Sequence, residues 1–249
     1  MKKIIESLVL TVAACGAFFF FAGCKSTPVV LADHSPAAIM SVSANSALPW
    51  TEMKNSNNVA ESDGTGVLTD MVNKVINGEN PEVYTSQDRL DYAAQTLHEL
   101  LGTTGGIEVL DHEKLEESKN YQAIITNPLN LIVASKSATG YKLISGVGAK
   151  RARLLMQETG AKSLVFAEFD FRKKNSAGNN WTGKVCAQVK MKIKIIDETG
   201  KEILNNEYIA TSAEELPIKS RKYDRQALVD LFPATIDAVI NQFIVSLIQ

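Results

Sequence analysis

Val185-Cys186-Ala187-Gln188-Val189-Lys190-Met191-Lys192-Ile193-Lys194-Ile195, followed by Ile196-Asp197-Glu198-Thr199-Gly200-Lys201-Glu202, is the stretch on which the fold turns. Val185, Ala187, Val189, Met191, Ile193 and Ile195 share one parity; Lys184, Cys186, Gln188, Lys190, Lys192 and Lys194 share the other. Successive side chains of a strand point to opposite faces, so this pattern predicts a long antiparallel strand with one dry and one wet face. The Asp197 to Lys201 run supplies bend residues and predicts a hairpin into a partner strand over Glu202 to Ser212.

Working outward, Ser163 to Phe171 alternates Leu164, Phe166 and Glu168 against Val165, Ala167 and Phe169, as an inner strand with few exposed positions would. A polar turn is expected over Lys173 to Gly183. Ala149 to Gly160 is rich in helix formers and has glycine just past its end. Upstream, Ala38 to Ala44 alternates as a first strand, and 55–66 is a polar loop. Val67, Leu68, Met71, Val72, Val75 and Ile76 fall at helical spacing, with Asn77-Gly78 as the stop. Thr85-Ser86-Gln87-Asp88 has the form of a capping box, and Leu90, Ala93, Ala94, Leu97, Leu100 and Leu101 follow as one stripe ended by Gly102. Ile107 to Asp111 reads as a short strand and Leu115 to Tyr121 as one or two helical turns.

The last segment, from about Arg225 to Ile248, is a helix that Pro233 kinks or divides. Phe232, Ile236, Val239, Ile240, Phe243 and Leu247 form its apolar face, which Val229, Ile244, Val245 and Ile248 widen. Burial against the sheet is the ordinary reading of that face; the alternative is a surface for lipid or a partner, through Phe243 and Leu247. The stretch 123–147 is the second such candidate. Ile124, Ile125, Leu129, Leu131, Ile132, Val133, Leu143 and Ile144 make it apolar, while Pro128, Gly140 and Gly146 interrupt any period. Taken together, the elements predict an α/β (α+β) fold: a mixed sheet with an antiparallel hairpin, helices packed on it and a closing C-terminal helix.

The N-terminus reads differently from the body. Lys2 and Lys3 precede an apolar run from about Leu8 to Phe21, too short for a spanning helix and fitted to a secretory signal. Phe21-Ala22-Gly23-Cys24 closes it and resembles the lipobox of bacterial lipoproteins, with Phe21 where Leu, Val or Ile is usual. The resemblance implies cleavage after residue 23 and acylation of Cys24. Val12-Ala13-Ala14-Cys15 fits the four-residue pattern too, but cutting there would leave Phe18 to Phe21 exposed behind the lipid. An ordinary signal peptide with an incidental cysteine is the other alternative. The expected organisation is a signal over 1–23, a tether over 24–36, and one domain over 37–249 carrying the apolar insert at 123–147.

Composition narrows the function. The chain of 249 residues is 45% hydrophobic and 22% charged, with a net charge of −2, so no electrostatic footprint for nucleic acid is present. With Cys15 and Cys24 in the leader, Cys186 is the body's one cysteine; it cannot form an internal disulfide and reads as a small buried hydrophobe. His34, His98 and His112 lack zinc-ligand spacing, and Asp111-His112-Glu113 reads as a solvated junction. Gly146 to Arg151 brings glycines to a helix start but matches neither phosphate-loop nor dinucleotide patterns. No Gly-x-Ser-x-Gly elbow or Ser-x-x-Lys pair occurs in the body, and Glu116-Glu117 and Glu214-Glu215 are adjacent pairs whose side chains diverge. The expectation is therefore a non-enzyme with no cofactor, metal or small-molecule substrate.

The order strand, helix, strand, helix, strand, hairpin, closing helix resembles the amino-terminal α/β domain of TolB. Curli-secretion lipoproteins and penicillin-binding-protein activator lipoproteins share that unit. The likeness is carried by Ala149 to Tyr208: Glu158-Thr159-Gly160-Ala161-Lys162, then Ser163 to Glu168, then the Asp197-Glu198-Thr199-Gly200 hairpin. The stretch 123–147 has no counterpart in it, and no membrane-spanning hairpin is recognisable. The resemblance implies a lipid-anchored envelope protein, facing the periplasm from the outer membrane, that binds another envelope protein or itself. The alternative expectation is an outer-membrane lipoprotein that inserts into or binds lipid through its amphipathic segments.

Overall fold

The structure, a computed structural model, describes residues 31–51, 80–126, 135–179 and 181–248. The signal segment, Cys24, the helix expected over 67–76, and Leu129, Leu131, Ile132 and Val133 lie outside the described residues.

A six-stranded mixed sheet organises the chain. Its strands are β1 (Ala37–Asn45), β2 (Ser135–Ser137), β3 (Ser163–Gly178), β4 (Thr182–Asp197), β5 (Glu202–Thr211) and β6 (Leu216–Lys219). The order across the sheet is β2-β1-β3-β4-β5, and β6 sits beside β5 on the same edge of β4. β1 runs parallel to β3, while β3, β4 and β5 form an antiparallel meander. The mixed α/β class and the hairpin follow the sequence pattern. The turn between β3 and β4 does not: residues 173–178, expected as part of a polar turn, continue β3 paired with β4, with a register shift between Asn175 and Ala177. Their polarity has two other causes: Lys173 reaches Glu82 and the Tyr223 hydroxyl, and Ser176 to Gly178 form the exposed end of the strand.

One face of the sheet is sealed by two long helices, α2 (Ser86–Thr103) and α7 (Phe232–Ile248). Leu90, Ala93, Leu97 and Leu101 from α2 meet Ile236, Val239, Ile240 and Phe243 from α7 over Val165, Ala167, Val189, Met191 and Ile193. α7 follows α6 (Arg225–Asp230), and the expected division falls at Leu231, before Pro233. The Arg225–Leu247 segment is long and apolar enough by composition to cross a bilayer, but its apolar stripe lies inside this core.

The other face is covered only at one end. There α3 (His112–Glu116), α4 (Lys119–Gln122) and α5 (Ala149–Thr159) bury Ala38, Met40, Leu164, Phe166 and Ile196 in a smaller core. α5 ends at Gly160, whose left-handed φ of 78° lets the chain turn straight into β3. Gly200, in the β4–β5 turn, has φ 80°, and a Cβ there would lie 2.7 Å from the Ala149 backbone; the turn is seated on the start of α5.

Three local expectations change. Thr85 does not close a capping box: it ends the preceding helical turn α1 (Pro81–Tyr84), with ψ near 7°, and its hydroxyl donates to the Pro81 carbonyl. Ile107 to Asp111 contributes one parallel bridge, Ala37 to Val109, rather than a strand. Residues 31–36, expected within the tether, belong to the folded body: Leu31 to His34 form a 3-10 turn with Leu31 in the main core. The Pro36 carbonyl also accepts the Lys162 N–H at 2.7 Å. Cys186 is buried, 1% exposed, as a small core residue would be.

Candidate functional site

The uncovered part of the second face is the place where chemistry is presented. β1 creates it by bulging at Met40: Ile39 pairs with Val165 but Ser41 with Phe166. The extra residue switches parity, so Met40 lies under the helices while Ser41 and Ser43 follow on the same face. Ser41 then holds the incoming loop. Its hydroxyl donates to the Lys142 carbonyl at 2.8 Å and faces the Ile144 N–H at 3.4 Å. Leu143 and Ile144 are thereby fixed, half-buried, along the open face.

A cleft of about 280 Å³ lies between this loop and the strands, with Leu143, Ile144 and Phe166 as its apolar wall. Glu168, Lys192, Lys194, Glu202 and Asn205 supply its polar wall. The register explains the mixture: Phe166 faces Lys194, which faces Asn205, and Glu168 faces Lys192, which faces Glu207. Lys194 Nζ stands 5.3 Å from the Phe166 ring centroid and against Gly146, where a Cβ would lie 2.3 Å from Nζ. Beyond the cleft, Asp170 meets Arg172 Nε at 2.7 Å and Lys190 meets Glu207 at 2.6 Å. Lys192 and Glu168 remain exposed between these pairs. The cleft thus sets an apolar strip beside alternating charges.

The residues singled out from sequence separate. Leu143 and Ile144 line the cleft. Ile124 is buried in the smaller core, where α4 ends, whereas Ile125 is 87% exposed. Phe243 is fully buried and packs on Tyr208, their ring centroids 5.8 Å apart; it offers no surface to lipid or partner, because α7 turns Ile236, Val239, Ile240, Phe243 and Ile244 into the sheet, although Val245 is 45% exposed. Leu247 is partly buried at the edge of the same core.

The histidines serve local structure. His34 Nδ1 lies 3.2 Å from Glu198 Oε2. His112 Nε2 lies 2.9 Å from the Gly140 carbonyl, with its ring on Tyr141. His98 borders a shallow depression on α2. Among the described residues no group of three His, Cys, Asp or Glu side chains is placed to hold a metal.

A second polar cluster escapes sequence reading. Glu82, 4% exposed, receives Lys173 Nζ at 2.8 Å on one carboxylate oxygen and the Tyr223 hydroxyl on the other. Lys173 also donates to the Tyr223 oxygen at 3.0 Å and stands 5.4 Å from the Trp50 ring centroid. Arg89, 4% exposed, donates to the Glu82 carbonyl and the Thr85 hydroxyl, between the rings of Phe171 and Phe232. Burial pushes its guanidinium down to about 10, against the opposing pull of Glu82 and Asp88. With both Glu82 oxygens engaged, the cluster acts as a clasp joining the exit of β1, α1, β3 and the approach to α6. Its members stand 91 and 50 positions apart, so no local spacing could announce it.

No family model matches this chain, and no curated protein matches it significantly.

Proposed function

We propose that the chain is a non-enzymatic lipoprotein of the bacterial envelope, acylated at Cys24, whose open sheet face receives another envelope protein. One observation carries the reading: two helices bury the central strands on one face, while the other presents a mixed cleft with no covering element among the described residues. An antiparallel meander can leave one face wet; on this one Leu143, Ile144 and Phe166 set an apolar wall beside the charges, which suits it to binding. The mixed sheet with a closing helix is compatible with a TolB-like unit and equally with other mixed α/β folds. The lipobox-like Phe21-Ala22-Gly23-Cys24 supports the anchor, and Lys25 after it favours the outer membrane, facing the periplasm. Acylation would hold the binding face at high local concentration beside its partner. Self-association through the same face is the simplest variant of this reading.

Metabolic labelling with a tagged palmitate tests the anchor: label on the wild-type chain and none on Cys24→Ala is the expected result. Co-purification tests the face. A partner or second copy retained by the wild type and lost on Lys192→Glu supports it; retention by both contradicts it. The alternative, membrane contact through 123–147, draws on Ile125, whose exposure leaves an isoleucine in water. Liposome flotation of the chain that is lost on Ile125→Asp would favour that reading instead.

A further inference from the structure

The far end of the β3–β4 ribbon breaks two local rules at once. Ser220 and Arg221 join β6 to Lys222 in a two-residue turn with φ of 50° and 65°, a left-handed pair that asks for Asn or Gly and finds neither. The turn is closed on both sides, Lys219 N–H to the Lys222 carbonyl at 2.9 Å and Lys222 N–H to the Lys219 carbonyl at 3.0 Å. That pairing sets two lysines directly opposite each other, a disfavoured cross-strand arrangement. Strain of this kind persists where surrounding structure over-determines it, and it concentrates at functional sites.

The neighbouring turn supplies that structure. The Asn179 side-chain oxygen accepts the N–H groups of Trp181 at 2.9 Å and Thr182 at 3.0 Å, which fixes Trp181. The Trp181 carbonyl accepts the Arg221 N–H at 3.0 Å, and the Arg221 guanidinium stacks 4.7 Å from the indole centroid. Trp181 is nonetheless 55% exposed. Lys219, Arg221 and Lys222 are exposed around it and have no acidic partner among the described residues, Glu215 being held by Lys184 at 2.8 Å. On a chain of net charge −2, this tip concentrates three unpaired cations on a rigid, half-bare indole.

We infer that this tip is a second membrane contact, in which Trp181 enters the headgroup layer and Lys219, Arg221 and Lys222 bind the phosphates of anionic lipid. Indole rings favour the membrane–water interface, and lysine and arginine near an anionic surface add to one another. The position fits a molecule lying along a membrane. β3 and β4 each span 16 residues, about 50 Å at strand rise, and the chain enters the body at their other end, where Ser163 Oγ donates to the His34 carbonyl. An N-terminal lipid and the tip would then hold opposite ends, and two weak signals give the stable attachment that a single acyl chain does not. The inference goes beyond the acylation of Cys24 and stands without it.

Trp181 reports its own location, because Trp50 is the only other tryptophan. The full chain is reconstituted with vesicles of brominated phosphatidylcholine, with or without phosphatidylglycerol, and the Trp181→Phe variant supplies the Trp50 background. Quenching of Trp181 is expected in the anionic vesicles alone. It should fall as salt is raised to about 1 M, where the screening length shrinks to about 3 Å. Lys219→Glu with Lys222→Glu should abolish it, whereas Cys24→Ser should weaken it but leave its dependence on anionic lipid and salt, so failure of the anchor and failure of the tip are separable. Arg221→Gly, which relieves the left-handed strain, should raise stability while reducing the quenching. Equal quenching in neutral vesicles, or none in anionic ones, overturns the inference. So does displacement of Trp181 from lipid by poly-glutamate with the same shift in emission, which would assign the tip to an acidic protein segment.

Discussion

The two faces of the sheet are written by the same strands and end in opposite states. On β4, Val189, Met191 and Ile193 are fully buried beneath α2 and α7, while Lys190, Lys192 and Lys194, one position away, stand at or near the surface. The sealed face carries stability, and the open one is free to vary its charges without unfolding the molecule. A protein that binds through a sheet needs this division, because a core cannot be re-formed each time a partner leaves.

The comparison is broken most sharply from the sealed side. Phe243→Ala empties a site at the centre of the α7 stripe and should lower stability by about 3–5 kcal/mol in urea unfolding. A loss under about 1 kcal/mol would mean that α7 does not hold the sheet. The clasp comes next. Lys173→Met leaves Glu82 buried without its ammonium and should cost about 3 kcal/mol, and Glu82→Gln in the same chain should recover part of that loss. If the two losses simply add, the pair is not coupled.

Asp197, at the end of β4, gives a smaller effect with a pH signature. Burial pushes its carboxyl up, but the Thr199 hydroxyl and the N–H groups of Lys201 and Thr199 outweigh burial, so it lies below its ordinary value. A lowered folded value means the stabilisation is complete above the ordinary carboxylate range and is lost as pH falls through the folded value. Asp197→Asn should cost about 1 kcal/mol at pH 7, and its gap from the wild type should close in acid. A gap independent of pH would assign the loss to packing. Smallest of all, Lys192→Glu on the open face should change stability by no more than about 0.5 kcal/mol. A larger loss would mean that face is part of the fold rather than a surface.

How far sequence reaches follows the same division. The α7 stripe and the β4 alternation were legible because each repeats a simple period against a continuous core. Residues 173–178 were not, since the polar end of a strand has the composition of a turn, and the partner of Lys173 is Glu82, far away in sequence. The bulge at Met40 was hidden because Ala38, Ser41, Ser43 and Ala44 are small enough to suit either parity around Ile39, Met40 and Val42. Thr85 looked like a cap because its sequence fits one, and only the turn at Pro81 shows the hydroxyl already engaged. Leu143 and Ile144 were identified by apolarity alone; the serine that holds them at the cleft lies about a hundred positions earlier. Phe243 was ambiguous because a core helix and a lipid-facing one share the same stripe, and what distinguishes them is the sheet beneath.

The most direct test of the open face is site-specific photo-crosslinking in cells that produce the protein, from position 192 on that face and from position 95 on the outer side of α2. If the open face binds a partner, position 192 should give an adduct with an envelope protein or a second copy, weakened by Glu168→Lys, and position 95 should give none. Adducts of equal yield from both positions, or from position 95 alone, would contradict it.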